Sequence, residues 1–267
     1  MWCVLLQSTR MPLRVLPMIK TASIRAALPP ALAALPIIQL ASTDSTNLEA
    51  KRRLEGDTRV PFLVLADTQT AGVGQRGHHF SSPAGSGLYM SLVIPQPRAL
   101  QLLMPAAGVA SVHAVATLGI PGLKLKWVND LMRDRAKIGG ILCWLEQTPV
   151  PTAIIGIGLN IFPNSQRTPL ASDQPTGTLY PHQPESDQRG RLAGLISAKL
   201  IELMQSPELI MPAYREVASY VGQAVRLVNG EQDVVGILQG FADDGSVIIQ
   251  TATGSVTAGS GSIRPQL

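Results

Sequence analysis

Residues 67 to 83 read Asp-Thr-Gln-Thr-Ala-Gly-Val-Gly-Gln-Arg-Gly-His-His-Phe-Ser-Ser-Pro and contain a G-x-G-x-x-G at Gly72, Gly74 and Gly77. A dinucleotide-binding fold needs a strand before such glycines, a helix opening on them, and an acidic residue about twenty positions later for the ribose hydroxyls. Only the strand is expected here, over the apolar run Phe62 to Ala66. After Gly77 come Pro83, Gly85 and Gly87, and then the run Leu88 to Ile94, so the order is strand, glycine loop, strand. Such a loop is either a plain surface connection or a place where successive N–H groups converge on a phosphate or carboxylate.

Outward from this loop, Thr46 with Glu49 three residues later predicts a capping box and a helix over Asn47 to Leu54. Residues 99 to 118 predict a buried helix, and Leu123-Lys-Leu-Lys-Trp127 a strand with one wet face. Lys137 to Glu146 and Ala153 to Ile161 read as further strands, around Gly139, Gly140, Gly156 and Gly158, where the backbone bends or approaches something closely. Residues 162 to 190 read as one long loop. Leu192, Leu195, Ile196, Leu200 and Leu203 mark an amphipathic helix, with a second over Glu208 to Ser219. From Val221 short apolar runs alternate with Asn229-Gly230 and Asp243-Asp244-Gly245, the pattern of a small all-β unit. The organisation expected is an extension at 1–37, a catalytic domain at 38–220 and a small β domain at 221–267. The fold class is α+β, a mixed and largely antiparallel sheet with packed helices.

With 267 residues, 45% of them apolar, the chain can bury a real core. Its net charge of +4 equals the four bases Arg10, Arg14, Lys20 and Arg25 that precede the first acid, Asp44; the remaining 18 bases face 18 acids. The body is neutral, which argues against nucleic acid as a partner. Cys3 and Cys143 are far apart and the four histidines have no ligand spacing, so neither a disulfide framework nor a zinc site is expected, and a reducing cytoplasm is. Trp2 to Leu6 is too short to span a membrane. The basic amino-terminal segment reads as a transit peptide or, preferably, as a start placed upstream of Met11 or Met18; Pro29, Pro30 and Pro36 argue against a helix-turn-helix there.

Four clusters follow in order: Ser45-Thr46-Asn47; Gln69 through Pro83; Lys126-Trp127-Val128-Asn129-Asp130 with Lys137 and Gly139-Gly140; and Gly156-Ile157-Gly158-Leu159-Asn160. In this arrangement residues 38 to 267 resemble a biotin protein ligase without an amino-terminal DNA-binding domain, the last part resembling that family's SH3-like domain. The resemblance implies formation of biotinyl-5'-AMP from biotin and ATP, with Mg²⁺, and transfer of biotin to a lysine of a biotin carboxyl carrier domain. It implies that Ser45, Thr46, Asn47, Gln69, Gly72, Gly74, Gly139 and Gly140 surround biotin, and that Lys137 contacts its carboxyl and the phosphate. Trp127, Asn129, Asp130 and Asn160 would face ATP, with Asp130 near Mg²⁺, and Lys137, Asp130 and Arg76 would carry the chemistry. No DNA or membrane partner is implied, and a homodimer stays open.

A carboxylate brought against the α-phosphate sets two anions together, and cations must offset that repulsion. Here the chain departs from the family. The three arginine positions of G-R-G-R-x-G-R are Val73, Gln75 and His78, with Arg76 alone retained nearby, and Val128 replaces the proline of K-W-P-N-D. Three other readings therefore remain: a divergent paralogue with weak activity or loose adenylate retention, a lipoate- or octanoate-transferring relative, and a non-enzymatic biotin sensor.

Overall fold

The computed structural model describes residues 19–56, 58–147, 149–168, 174–229 and 232–266; the expectations for residues 1–18 lie outside it. The chain runs through α1 (Thr21–Ala27), β1 (Ile37–Thr43), α2 (Thr46–Glu55), β2 (Phe62–Gln69), β3 (Gly87–Pro95) and α3 (Leu103–Thr117). There follow β4 (Leu123–Lys126), β5 (Asp130–Arg133), β6 (Ala136–Gln147), β7 (Pro151–Asn160), α4 (Gln188–Gln205) and α5 (Ile210–Val217). A second set of strands ends the chain: β8 (Ala224–Asn229), β9 (Gln232–Phe241), β10 (Val247–Thr251), β11 (Gly254–Ala258) and β12 (Ser262–Pro265).

The large sheet has the order β1-β2-β3-β7-β6-β5-β4. Only β1 and β2 pair in parallel, so the largely antiparallel sheet expected from sequence is present. Successive residues of β2 face opposite sides of it. Leu63 and Leu65 join the main core with α1, α3, α4 and α5, whereas Phe62 and Val64 form a smaller cluster with Ala50 of α2. Eleven of the fifteen residues of α3 are buried, which explains its unbroken Ala/Val/Leu texture. Burying an aliphatic side chain contributes roughly 1.5–3 kcal/mol, so these faces dominate the stability of the layer.

Three local expectations need correction. No capping box forms at α2: Thr46 occupies the first helical turn and Glu49 pairs instead with Arg52 and Arg53, because tertiary partners claim the threonine hydroxyl. The wet face of β4 fails at Lys126, which is only 8% exposed. Before β1, where sequence suggested no element, α1 buries Ile24 completely, and Gly194 of α4 lets the Ile24 carbonyl approach; a Cβ there would lie 2.5 Å from it.

The smaller sheet is antiparallel with the order β11-β10-β9-β8-β12. Its last strand, β12, had no signal beyond Ile263, since Ser262, Arg264 and Pro265 are individually poor strand formers. The predicted turn at Asp243-Asp244-Gly245 is present, with Gly245 at a φ of 85° and the Asp244 carboxylate accepting from Ser246 N at 2.9 Å.

Candidate functional site

A cavity of about 1280 Å³ opens between the glycine loop, the β4–β5–β6 hairpins and the carboxyl-terminal sheet. That exceeds the roughly 300–1,000 Å³ usual for one drug-sized ligand, so two small molecules can share it. Of the residues singled out from sequence, Ser45, Thr46, Asn47, Gln69 and Gly74 line one end. Arg76, Trp127, Asn129, Asp130, Lys137 and Gly140 line the other parts. Gly72, Gly139 and Asn160 are not among the lining residues.

At the first end, the start of α2 is fastened to β2 and β3. Gln69 Oε1 accepts from Thr46 N at 2.8 Å and Thr46 Oγ1 at 3.2 Å, while Gln69 Nε2 donates to Ser82 Oγ at 2.7 Å. Ser91 of β3, fully buried, donates to Asn47 Oδ1 at 2.6 Å and lies 2.8 Å from Thr46 Oγ1. Asn47 Nδ2 donates to the Leu142 carbonyl at 3.2 Å. Gly156 makes this possible, because a Cβ there would sit 2.3 Å from Asn47 Oδ1. Sequence missed Ser91, since a single serine in a run read as alternating carries no sign that it partners a helix start, and the strand is in fact covered on both faces.

The glycine loop is a narrow ribbon, closed on itself. Phe80 N donates to the Gly72 carbonyl at 2.8 Å, Gly74 N to the His78 carbonyl at 2.7 Å, and His78 N to the Gln75 carbonyl at 3.1 Å. The Gly74 N–H, which the glycine pattern offers to an anion, is therefore already occupied. Gly72 serves close approach instead: its Cβ would meet the Phe80 carbonyl at 2.4 Å. Phe80 lies over Gly158, whose Cβ would be 2.5 Å from the ring. Gln75 turns toward α3, its Nε2 at 3.3 Å from Met104 Sδ.

The hairpins concentrate charge. Asp130 opens β5 opposite Lys126 across the β4–β5 pair and opposite Gly140 across β5–β6. A register shift between Leu131 and Met132 puts Lys137 opposite Met132, on the face that Asp130 shares, whereas simple alternation from Gly140 would point it away. One carboxylate consequently bridges two ammonium groups: Lys126 Nζ lies 2.6 Å from Oδ2, and Lys137 Nζ bonds Oδ1. Burial raises the Asp130 pKa, but the charges of Lys137 and Lys126 outweigh it and hold the carboxyl below its ordinary value. Asn129 reinforces the turn, donating Nδ2 to the Ile141 carbonyl at 3.1 Å. Both Asp130 oxygens are engaged by lysines, so a Mg²⁺ shared between Asp130 and the ATP phosphates, the role sequence suggested, would take the place of one of them.

Other walls come from segments whose part sequence did not show. The long loop after β7 returns beside Lys137, with Lys137 N donating to the Pro175 carbonyl at 2.7 Å and Gly177 N to the Lys137 carbonyl at 2.9 Å. Its Thr168, Gln174 and Pro175 line the cavity, as do Tyr220, Gln223 and Arg264 from the carboxyl-terminal part. Trp127, 2% exposed, donates Nε1 to the Gly245 carbonyl at 3.0 Å and so ties the hairpin to that part. Asn160 is spent on the loop as well, donating to the Gly177 carbonyl at 3.2 Å and accepting from Arg167.

Similarity to known proteins agrees with this arrangement. Residues 39–160 match the biotin/lipoate A/B protein ligase family, and residues 220–264 match the biotin protein ligase C-terminal domain. The biotin–[acetyl-CoA-carboxylase] ligase of Mycobacterium tuberculosis is 29% identical over 237 residues, covering 84% of this chain and 86% of that protein. Its counterpart from Paracoccus denitrificans is 29% identical over 235 residues, covering 80% and 94%. The structure of an Aquifex aeolicus biotin protein ligase in complex with biotin and ATP superposes with a TM-score of 0.73 at 26% identity, over 86% of this chain and 99% of that one. The chain belongs to the biotin protein ligase family.

Proposed function

We propose that this chain is an ATP-dependent biotin ligase, which joins biotin to ATP as biotinyl-5'-AMP and passes the biotinyl group to a lysine of a biotin carboxyl carrier domain. The observation that carries the reading is one cavity with a polar, hydrogen-bonded end at Thr46, Asn47 and Gln69 and a cationic part at Lys126 and Lys137. In the first step a biotin carboxylate oxygen bonds the α-phosphorus, the bond to the bridging oxygen breaks, and pyrophosphate leaves. In the second, the carrier lysine's amine attacks the acyl carbon, loses a proton, and AMP leaves.

The uncharged end suits the ureido ring of biotin, which offers two N–H donors and one carbonyl to fixed amide and hydroxyl groups. Lys137 is the group we place between the biotin carboxylate and the α-phosphate, where an ammonium in a partly dry site is worth more than in water. Asp130 holds that lysine in place. Mg²⁺ belongs in this reading with the phosphates of ATP, for which one or two carboxylates and several waters ordinarily suffice. The carboxyl-terminal sheet favours biotin over lipoate or octanoate, since the match at 220–264 is to a biotin ligase domain. The boundaries 38–220 and 221–267 suit a catalytic and a closing domain. A carboxylase carrier and a reducing cytoplasm accord with the names of the relatives and with the unpaired Cys143. The helix 100–117 is long and apolar enough to cross a bilayer, but 67% of it is buried inside the fold, which supports a core role.

Incubation with biotin, MgATP and a carrier domain tests the proposal, with intact mass of the carrier as the readout. One biotinyl group added to one lysine is expected. No mass change, while a known ligase succeeds in parallel, overturns it.

A further inference from the structure

Lys126 belongs to the cationic part of the cavity, but the reaction above gives its ammonium no contact of its own. It lines the cavity at 8% exposure. Its ammonium has three donors. One goes to Asp130 Oδ2 at 2.6 Å and one to Gln174 Oε1 at 2.9 Å. Gln174 is itself anchored, with Nε2 at 2.9 Å from Met132 Sδ of β5. No further partner of Lys126 Nζ is present among the described residues.

The charge balance of this cluster is uneven. Asp130 supplies one negative charge to the two positive charges of Lys126, buried, and Lys137, partly buried, which leaves one positive charge in excess in a largely desolvated cluster. A burial of that kind is costly unless an anion completes it. If Lys126 served only to neutralise Asp130, Lys137 would already do so, and the second lysine would be a net liability. Two ammonium groups held about one carboxylate, both facing the same cavity, instead form a fork for a doubly contacted oxyanion. The need for it follows from the glycine loop, where Val73, Gln75 and His78 stand at arginine positions and the Gly74 N–H is consumed by His78.

We propose that Lys126 is a second catalytic cation of this ligase: its free donor contacts the α-phosphate beside Lys137, and Gln174 of the long loop sets its direction. Resting on the ligase reading, this assigns to β4 and the 174–177 segment part of the charge stabilisation that the loop no longer supplies. Gln174 is a positioning residue, acting only through Lys126.

The test uses full-length protein with Lys126→Gln, Lys126→Arg and Gln174→Leu. Pyrophosphate release, AMP affinity, biotin affinity without nucleotide, and melting temperature are measured on each. Lys126→Gln is expected to lower kcat for pyrophosphate release by about a hundred- to a thousandfold and AMP affinity by about ten- to a hundredfold, with biotin affinity unchanged. Lys126→Arg should recover most of the AMP affinity, and Gln174→Leu should lower kcat about tenfold with wild-type melting, as for a charged hydrogen bond that is loosened rather than lost. Wild-type AMP affinity in Lys126→Gln overturns the proposal. So does a melting loss that Lys126→Arg repairs without restoring AMP binding. A wild-type protein that binds AMP but releases no pyrophosphate would sink the ligase reading while leaving the AMP comparison to decide the role of Lys126.

Discussion

The glycine loop at 69–82 and the hairpins at 123–142 face the same cavity, yet they treat charge in opposite ways. The loop carries the familiar glycine pattern, but its backbone donors at Gly74, His78 and Phe80 are satisfied within the ribbon. The hairpins carry no phosphate-loop pattern, and they hold the buried Lys126 and Asp130 in contact with the partly buried Lys137. A glycine pattern thus signals close backbone approach, as at Gly72 against Phe80, before it signals anion binding. Anion-handling capacity lies where charge is held desolvated.

The sharpest way to break this contrast is Asp130→Asn. Removing the one anion leaves the buried Lys126 and the partly buried Lys137 without their shared counter-ion, and loss of a buried partner costs about 3–5 kcal/mol. Urea unfolding at pH 7 should show a loss of that order. Because the folded carboxyl has a lowered pKa, the unfolded chain takes up the proton first as pH falls. The contribution of Asp130 is therefore complete above its ordinary pKa of 3.8 and disappears as pH drops below it. The wild type and Asp130→Asn should converge in stability in that acid range; a gap that stays constant would mean that the charge of Asp130 contributes nothing.

Lys137→Ala comes next. Asp130 keeps Lys126, so folding suffers less than in Asp130→Asn, while pyrophosphate release should fall about a hundred- to a thousandfold. Rate and melting temperature read on one sample decide it. Equal proportional losses, or none, would make Lys137 a structural residue.

The loop offers the smallest effect and the converse test. With two of its lost arginines restored, Val73→Arg with Gln75→Arg should slow biotinyl-adenylate dissociation by about ten- to a hundredfold, after Gln75 leaves Met104. Labelling of an unrelated bystander protein should fall in step. An unchanged off-rate would show that the loop does not touch the intermediate.

The layout of the fold was readable because it depends on local periodicity. The buried run Phe62 to Ala66 became β2, the run Leu88 to Ile94, read as alternating, became β3 with both faces covered, the Ala/Val/Leu stretch became α3, and Asp243-Asp244-Gly245 became a turn. The elements missed are those whose cause is distant in sequence. α1 is held by α4, some 170 residues later, and β12 exists because β8 offers it an edge. Thr46 lost its capping role for the same reason, to Gln69 and Ser91.

At the site, sequence by itself determined which chemical groups are available: an amide-rich cluster at 45–47 and 69, a lysine-aspartate-lysine set at 126, 130 and 137, and a loop short of arginine. These are facts of residue type and spacing, which no folding can alter. Tertiary structure alone decided their relation. A register shift of one residue turned Lys137 toward Asp130, cross-strand pairing buried Lys126 where alternation exposed it, and the long loop brought Gln174 to its ammonium. The physical reason is that face and burial in a sheet depend on register and on what packs above it, and a one-residue shift reverses the side a chain atom faces.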